Sequence, residues 1–374
     1  MKNNINYFGV FTISGFNIRA VIAISRYCFL RNIPLHLATI NKKDKIYLTK
    51  YIENVFIERT SPSLDVTEFL QWISNLRKKY GYKKVLIAPS SEFFNRFLLA
   101  NRDVIEVAGG VIPLVNKSLY ERISDKHSFA DLCINHGILV PAEFAKPPSE
   151  FPFVAKPLNY SSINDRQLKP YLLYNEKNWL EFSKAEEVSD FYYQEYIYGH
   201  SIYLLMYISR NGTVTKYSQE NLIQQACGGS IILAKGHDFH ESDEAEKYIA
   251  MLRDVKYFGL IMIEVRFCQK TNRYIMIEAN PRVWGPMQFL IDNNIDLFGE
   301  LFRDFFNINI ESDNSVENVY DYYFWSGGMS SINSPFAFHN FSQNDFINNF
   351  KNIVFCDVFC RDDTIKLYKQ ELKS

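Results

Sequence analysis

Two carboxylates late in the chain carry the chemistry that this sequence suggests most directly. Glu264 lies in the apolar segment GLIMIEVRF and Glu278 in RYIMIEANPRVWG, with the turn-like CQKTN between them. Alternate side chains of a strand share a face. A hairpin centred near Thr271 would therefore place Glu264 opposite Glu278, with the Asn280 amide next along the strand. The same alternation predicts that Met276 shares the face of Glu278.

These side chains would form a cluster of hard oxygen donors. Two carboxylates and an amide oxygen suit a magnesium ion that bridges phosphates. Arg282 follows Asn280 closely and could bind a transferring phosphoryl group through two hydrogen bonds. The alternative is a solvated strand face whose glutamate and arginine side chains merely pair, because exposed salt bridges are common and weak. The hairpin by itself does not distinguish these interpretations.

Length and composition limit the class of protein. The 374 residues are too many for one compact core and predict about two or three domains. A formal charge of -1 and the lack of a basic run argue against nucleic acid as a partner. No apolar stretch has the length of a membrane span, and the first residues do not form a signal peptide. The six cysteines lack zinc spacing, so free thiols in a reducing cytoplasm are expected.

The first part of the chain alternates strand-like and helix-like segments. Such alternation predicts a parallel sheet with helices on both faces. The predicted strands cover 7–13, 34–40, 54–58 and 83–89. Glu92 follows the last of these strands, where open α/β sheets often bind ligands. The simpler explanation is that its charge stabilises the first turn of a helix.

Two lysines in the middle of the chain are placed to meet anions. The segment ISDKHSFADLCINHGILVP predicts a helix capped by Ser124 or Asp125, with Lys126 in its first turn. A lysine gains nothing from the helix dipole at that end. Lys156 lies in the short apolar strand FPFVAKP and is aligned with Val154, so its charge could meet a phosphate. The simpler interpretation of Lys126, taken alone, is a solvated lysine.

In their order and spacing these segments resemble the ATP-grasp superfamily of ADP-forming carboxylate–amine ligases. The resemblance covers roughly residues 84–300 and is carried by SDKHSFADLCINHGILVP, FPFVAKP, QEYIYG, FGLIMIEVRF and YIMIEANPRVWG. It implies an α/β N-terminal domain with a parallel sheet over 1–116. An α+β ATP-grasp domain of two antiparallel-sheet subdomains would follow over 117–310, with a lid at about 142–195. Residues 311–374 would form a C-terminal extension packed on that domain.

The resemblance implies which residues hold the nucleotide. Lys126 and Lys156 match the two lysines that contact ATP phosphates. Glu195, Tyr196 and Ile197 match the segment whose backbone groups bind the adenine edge.

It also implies the metal ligands and the catalytic arginine. Glu264, Glu278 and Asn280 match the ligands of Mg²⁺, with Mn²⁺ as an alternative metal. Arg282 matches the arginine that steadies the γ-phosphate and the acyl-phosphate intermediate.

The expected substrate pocket is less completely matched. Gly228 and Gly229 resemble a glycine pair whose amides approach the intermediate, and Trp284 and Glu92 are expected to border the pocket. Relatives usually hold the ATP ribose with an acidic residue after the hinge glycine, whereas here His200 occupies that position.

The implied reaction joins a small carboxylate to an amine through an acylphosphate, with release of ADP and phosphate. Small-molecule carboxylates and amines are thus the expected partners, and a homodimer is left open. One alternative is a nucleotide-binding sensor or scaffold that has lost catalysis. Another is a different ATP-grasp chemistry, either carboxylation or phosphoryl transfer. Retention of both carboxylates with Asn280 and Arg282 favours an enzyme, because a scaffold has little need of that polar face.

Overall fold

The computed structural model describes residues 7–59, 61–159, 168–226, 229–308, 310, 320–329 and 335–373. Within these residues the strands form three sheets. Cys227 and Gly228 lie outside the described part of the chain, as does most of the loop after Lys156. None of the helices in the described part is both long enough and apolar enough to cross a membrane.

The N-terminal sheet is parallel, as the alternating pattern predicts. Its strands are β1 (Phe8–Ile13), β2 (Leu35–Thr39), β3 (Val55–Glu58), β4 (Lys84–Ile87) and β5 (Gly110–Val111). They lie in the order β3-β2-β1-β4-β5. The connecting helices are α1 (Ile18–Leu30), α2 (Val66–Tyr80), α3 (Glu92–Ala100) and α4 (Arg102–Val107). Alternate residues of β1 pack on opposite sides, since Val10 contacts the core of α1 and Phe11 that of α2.

The central sheet is antiparallel and carries the two predicted carboxylates. Its main strands are β10 (Gly199–Ile208), β11 (Val214–Gln225), β12 (Ile231–Gly236), β13 (Gly259–Cys268) and β14 (Arg273–Asn280). Helices cover both of its faces. On one side lie α5 (Lys117–Ser124), α6 (Lys126–Asn135) and α8 (Asp243–Asp254), and on the other α9 (Met287–Asp292) and α10 (Leu297–Phe306). Both sides also contact the N-terminal domain, since Phe11 belongs to the core on the first side and Val10 to the core on the second.

A smaller antiparallel sheet lies within residues 142–195, the range that the resemblance assigns to a lid. It consists of β6 (Glu143–Phe144), β7 (Phe153–Pro157), β8 (Tyr171–Leu173) and β9 (Phe191–Glu195), in the order β6-β9-β7-β8. One helix, α7 (Glu176–Ala185), covers one face of this sheet through Phe182. Phe153 and Ala155 pack toward that helix, so Lys156 projects from the other face, as the pattern predicts.

The described residues beyond 320 extend the central sheet. The strand β15 (Tyr322–Phe324) pairs with β12, and β16 (Phe336–Phe338) pairs with β11. The helices α11 (Gln343–Asn348), α12 (Phe350–Phe355) and α13 (Ile365–Glu371) follow. In this region Asp363 accepts hydrogen bonds from the Arg26 guanidinium at 2.7 and 3.0 Å, which joins the C-terminal segment to α1. A parallel sheet followed by antiparallel sheets confirms the predicted fold class.

Candidate active site

The predicted hairpin register is confirmed: Glu264 on β13 lies directly opposite Glu278 on β14. Glu264 is buried, and its Oε1 atom accepts a hydrogen bond from the Ser201 hydroxyl at 2.7 Å. The Asn221 amide in turn donates to that hydroxyl at 2.9 Å. Burial and the neighbouring charge of Glu278 raise the pKa of the Glu264 carboxyl. A buried and a half-buried carboxylate are therefore held face to face, an arrangement that a divalent cation would stabilise.

The Glu278 carboxylate already has a partner on each oxygen. Its Oε1 atom accepts from the Asn280 amide at 2.8 Å, and its Oε2 atom forms an ion pair with the Lys126 ammonium group. Burial acts to raise the pKa of Glu278. The charge and hydrogen bond of Lys126, with the Asn280 hydrogen bond, outweigh it and hold that pKa below its ordinary value. Lys126 lies at the start of α6, and Asp125 caps this helix, as predicted.

A β-bulge beside Glu278 corrects one prediction. The ladder pairs Glu264 with Glu278 but Val265 with Met276, so Ile277 is an extra residue on β14. Met276 consequently packs in the core on the opposite face, and the expectation that it shares the face of Glu278 is wrong. Alternation fails here because a bulge adds one residue to one strand only.

The bulge supplies a partner for the second lysine. The Lys156 ammonium group, which is buried, donates to the Ile277 carbonyl at 3.0 Å. Burial lowers the pKa of Lys156 to about 7, and the charge of Lys126 acts in the same direction, whereas Glu278 and Glu264 oppose it. A neutral carbonyl stabilises the ammonium ion less than a carboxylate does. Within the described part of the chain, the Lys156 ammonium group is therefore paired with a carbonyl and with no carboxylate.

The donor set fits a hard divalent cation. The described residues contain no group of three histidine, cysteine or acidic side chains that could hold a metal. A site here would instead use the Glu264 and Glu278 carboxylates and the Asn280 amide oxygen, which are ligand types that Mg²⁺ accepts alongside water and phosphate oxygens. Lys126 would have to leave Glu278 for the metal to bind.

Arg282 is positioned by the N-terminal domain. It follows β14, and its guanidinium donates to the Asn280 side-chain oxygen at 3.0 Å. The loop that carries it is tied to the segment after β4, because Val283 donates its backbone N–H to the Pro89 carbonyl at 3.0 Å. In that same segment the Asn95 amide donates to the Pro281 carbonyl at 3.4 Å.

The expected adenine-binding segment lies between the two antiparallel sheets, at the end of β9. Glu195 is exposed and Ile197 is buried. Two backbone groups of the segment are already bonded: the Glu195 N–H donates to the Ala142 carbonyl at 2.8 Å, and the Ile197 carbonyl accepts from Arg266 at 3.2 Å. The peptide groups around Tyr196 therefore remain the candidates for contact with a base.

A cavity of about 550 Å³ opens beside the acidic pair. Its walls include both carboxylates, Asn280 and Arg282, together with three of the expected pocket residues: Glu92, Gly229 and Trp284. The lysines and the segment 195–197 lie outside these walls.

Two of the expected pocket residues differ in whether their polar groups have hydrogen-bond partners. Glu92 accepts hydrogen bonds from the Arg96 guanidinium at 2.8 Å and from the Tyr120 hydroxyl at 2.6 Å. These two bonds fix its side chain in the cavity wall. Trp284 is buried, and its indole N–H has no partner within the described ranges.

The structure also adds residues that the sequence did not single out. Ser201 bonds to Glu264, and Tyr203 lies opposite Glu264 across the β10–β13 pairing and lines the cavity. Both share one face of β10, so alternation along HSIYLLMYI could have identified them. Arg19, from the start of α1, also lines the cavity. No local pattern marks it, since its neighbours in space come from β12 and the C-terminal segment.

Sequence comparison identifies no family for this chain: no protein-family model and no curated protein matches it. Solved structures do share its fold. The biotin carboxylase domain of Hydrogenobacter thermophilus 2-oxoglutarate carboxylase, solved with MgADP, ADP and bicarbonate, is 13% identical with a TM-score of 0.57, over 79% of this chain and 69% of that one.

Two further solved structures give the same result. The ADP complex of an N5-carboxyaminoimidazole ribonucleotide synthetase is 13% identical with a TM-score of 0.58, over 84% of this chain and 81% of that one. Campylobacter jejuni biotin carboxylase in a β,γ-ATP complex is 12% identical with a TM-score of 0.57, over 79% of this chain and 70% of that one. At this identity the likeness establishes architecture alone. The chain has the ATP-grasp fold that its motifs predict.

Proposed function

We propose that this protein is an ATP- and Mg²⁺-dependent ligase that joins a small carboxylate to an amine. The observation that carries the proposal is the opposed pair Glu264 and Glu278, with a lysine on one carboxylate and Arg282 in the wall of the same cavity. An acidic pair in which one carboxylate is buried and the other half-buried is costly to maintain for stability alone. It suits the binding of a metal ion with a polyphosphate.

The nucleotide would bind between the lid sheet and the central sheet. Lys126 and Lys156 project toward this space from α6 and β7. A phosphate oxygen could replace the present partner of each ammonium group. The segment 195–197 would contact the base. Solved proteins of the same fold were crystallised with ADP or an ATP complex, which supports ATP as the co-substrate here.

Glu264, Glu278 and Asn280 would hold the magnesium ion. When bound, Mg²⁺ neutralises charge on the phosphate oxygens and fixes their orientation. The side chains of this chain then orient the reactants: Ser201 holds the Glu264 carboxylate, and the loop that Pro89 and Asn95 fix holds Arg282.

The reaction has two displacement steps. A carboxylate oxygen of the substrate attacks the γ-phosphorus, the bond to the β,γ-bridging oxygen breaks, and ADP leaves. The amine nitrogen then attacks the acyl carbon, the bond from that carbon to the phosphate oxygen breaks, and an amide, inorganic phosphate and a proton are released. No nucleophilic side chain is required, because catalysis rests on positioning and charge neutralisation by Arg282 and the lysines.

A second candidate is carboxylation of an amine with bicarbonate as the carboxylate substrate. The comparisons favour considering this candidate, because several structures of the same fold are carboxylases and two of them contain bicarbonate. The nucleotide half of the reaction would be unchanged. The two candidates differ in whether ADP release requires an organic acid or bicarbonate.

The test is ADP release with Mg²⁺ across a panel of organic acids and amines, and separately with bicarbonate. Glu278→Gln keeps the side-chain volume but removes the charge, and we expect turnover to fall at least about 100-fold while the protein stays folded. The matched control is Glu246→Gln, since Glu246 lies on the surface of α8 and pairs with Lys216 of β11. Equal activity of Glu278→Gln and wild type would refute the assigned role. Nucleotide binding without turnover on any substrate would favour the sensor alternative.

A further inference from the structure

Arg19 is a cation in the cavity wall whose partners are all neutral. Its Nη1 atom donates to the Ile231 carbonyl and to the Tyr323 hydroxyl, both at 3.0 Å, and its Nη2 atom donates to the Ser230 hydroxyl at 2.9 Å. Its guanidinium carbon lies 4.0 Å from the centre of the Trp325 ring. No carboxylate pairs with it among the residues that the structure covers. These contacts fix the group without neutralising it.

The guanidinium keeps two donors free for a ligand. An arginine side chain has five N–H groups, and three of them are used in the contacts above. The remaining two are the Nε–H and the second N–H of Nη2. These two lie on adjacent nitrogens, which is the pair that binds both oxygens of one carboxylate.

The charge balance of the cavity also favours an anion near Arg19. The acidic residues that line the cavity have other cationic partners or belong to the metal cluster: Glu92 is bonded to Arg96, and Glu278 to Lys126. Glu264 lies on β13, which β10 and β11 separate from the β12 strand that holds Arg19. The guanidinium is thus on a different wall from the carboxylate pair.

Gly285 gives Arg19 the room to adopt this position. A Cβ atom at residue 285 would lie 2.9 Å from the guanidinium carbon and 3.2 Å from Nε, which is too close. A side chain there would displace the guanidinium while leaving the arginine in the sequence. Substitution of Arg19 and substitution of Gly285 are therefore two independent ways to perturb the same guanidinium.

An apolar surface lies beside the charge. Phe16 comes from the loop after β1 and Phe93 from the first turn of α3, and both line the cavity. Their ring centres are 4.8 Å apart, and 43% and 39% of their surfaces remain exposed. Exposed aromatic pairs of this kind commonly contact an apolar ligand group.

On the basis of the proposed ligase function, we propose that the amine acceptor is an amino acid with an apolar side chain. Its carboxylate pairs with the free Nε and Nη2 donors of Arg19, and its side chain packs on Phe16 and Phe93. Its amine is thereby turned toward the acyl group activated beside Glu264 and Glu278. A single guanidinium matches a carboxylate monoanion better than a phosphate dianion, which usually requires more than one cation.

The experiment measures direct binding by calorimetry, with and without ADP and Mg²⁺, so that it does not depend on turnover. The probes are L-phenylalanine and L-leucine, with phenethylamine as the analogue that lacks the carboxylate and O-phosphoethanolamine as the phosphate-bearing amine. We expect both amino acids to bind wild type at least tenfold more tightly than either analogue. Arg19→Lys, which keeps the charge but loses the fork, and Gly285→Ala should each weaken amino acid binding about tenfold.

The control variant is Arg210→Gln, whose arginine pairs with Asp304 outside the cavity. It should bind the amino acids as wild type does. The proposal is overturned if neither amino acid binds in either condition, if phenethylamine or O-phosphoethanolamine binds as tightly, or if Arg19→Lys and Gly285→Ala both bind normally. Glu278→Gln should still bind the amino acids. Normal binding combined with no ADP release in wild type would refute the ligase function but support the Arg19 site.

Discussion

The ammonium group of Lys126 contacts the Oε2 atom of Glu278, so a cation from α6 neutralises a carboxylate that is proposed to bind a metal. The opposite carboxylate, Glu264, has the Ser201 hydroxyl as its hydrogen-bond donor. Without Lys126, two negative charges, of which that of Glu264 is buried, would face each other across β13 and β14. The lysine therefore stabilises the nucleotide-free protein at the place where a metal–nucleotide complex would otherwise supply the positive charge.

This relationship predicts opposite effects on two ligands when Lys126 is replaced. Lys126→Gln should increase the affinity of the nucleotide-free protein for Mn²⁺ about tenfold, because the metal no longer competes with an ammonium group for Glu278. The same variant should bind ATP more weakly, because a phosphate contact is lost. Electron paramagnetic resonance of Mn²⁺ and calorimetry with ATP measure the two affinities. A fall in both would show that Lys126 does not compete with the metal.

Ser201 should tune the metal requirement through Glu264. Ser201→Ala removes a hydrogen bond that favours the ionised carboxylate, so the pKa of Glu264 should rise further. We expect several-fold more Mg²⁺ for half-maximal ADP release and a loss of about 1 kcal/mol in the free energy of unfolding. Ser201→Thr keeps the hydroxyl and should restore the magnesium dependence. An unchanged magnesium curve in the alanine variant would argue against this contact.

Stability should depend on the ion pair between α1 and the C-terminal segment. Arg26 binds both oxygens of Asp363, and the Tyr51 hydroxyl donates to the same carboxylate at 2.6 Å. Arg26→Met leaves that carboxylate without its cation, so we expect a loss of about 3 kcal/mol by urea denaturation. The surface pair of Lys117 with Glu121, 3.9 Å apart, serves as comparison, and Lys117→Met should cost less than about 0.5 kcal/mol.

His36 should make the protein sensitive to mild acid. Burial, with the nearby charge of Lys79, lowers the pKa of His36 from 6.5 to about 4. The unfolded chain therefore binds a proton more readily, and stability is lost as the pH falls from 6.5 toward 4. The loss should be on the order of 2 kcal/mol at pH 4.5.

The comparison for His36 is the difference in unfolding free energy between pH 7 and pH 4.5. His36→Gln removes the titrating group and can still bond to the Tyr82 hydroxyl, which lies 3.0 Å from His36 Nε2. The loss of unfolding free energy between pH 7 and pH 4.5 should be smaller in the variant than in wild type by about 2 kcal/mol. Equal differences would show that His36 is not protonated on unfolding in this range.

Features encoded over short stretches could be predicted from the sequence. The pairing of Glu264 with Glu278 follows from alternation and a tight turn, and the position of Lys126 follows from the cap at Asp125. The parallel N-terminal sheet follows from alternating strands and helices. Each of these depends on neighbours within about one or two elements, where local geometry dominates.

Features that depend on distant contacts could not be predicted in this way. Arg19 reaches the cavity because Ile231, Tyr323 and Trp325 surround it, and these residues lie far along the chain. No periodicity links α1 to β12 or β15. The Met276 prediction failed for a different reason, since a single inserted residue leaves no compositional trace.

The extra residue at Ile277 has a consequence for how the E-x-N-P-R motif should be compared between proteins. Met276 and Ala279 face the same core although three positions separate them, an odd count that marks the insertion. Deleting Ile277 would leave Glu278 still facing Glu264, and the motif would look intact. The carbonyl that Lys156 contacts would nevertheless be gone. In a homologous protein, the number of residues between the core-facing residue and the glutamate therefore indicates whether the bulge, and with it the carbonyl that contacts the lysine, is present. The motif itself does not indicate this.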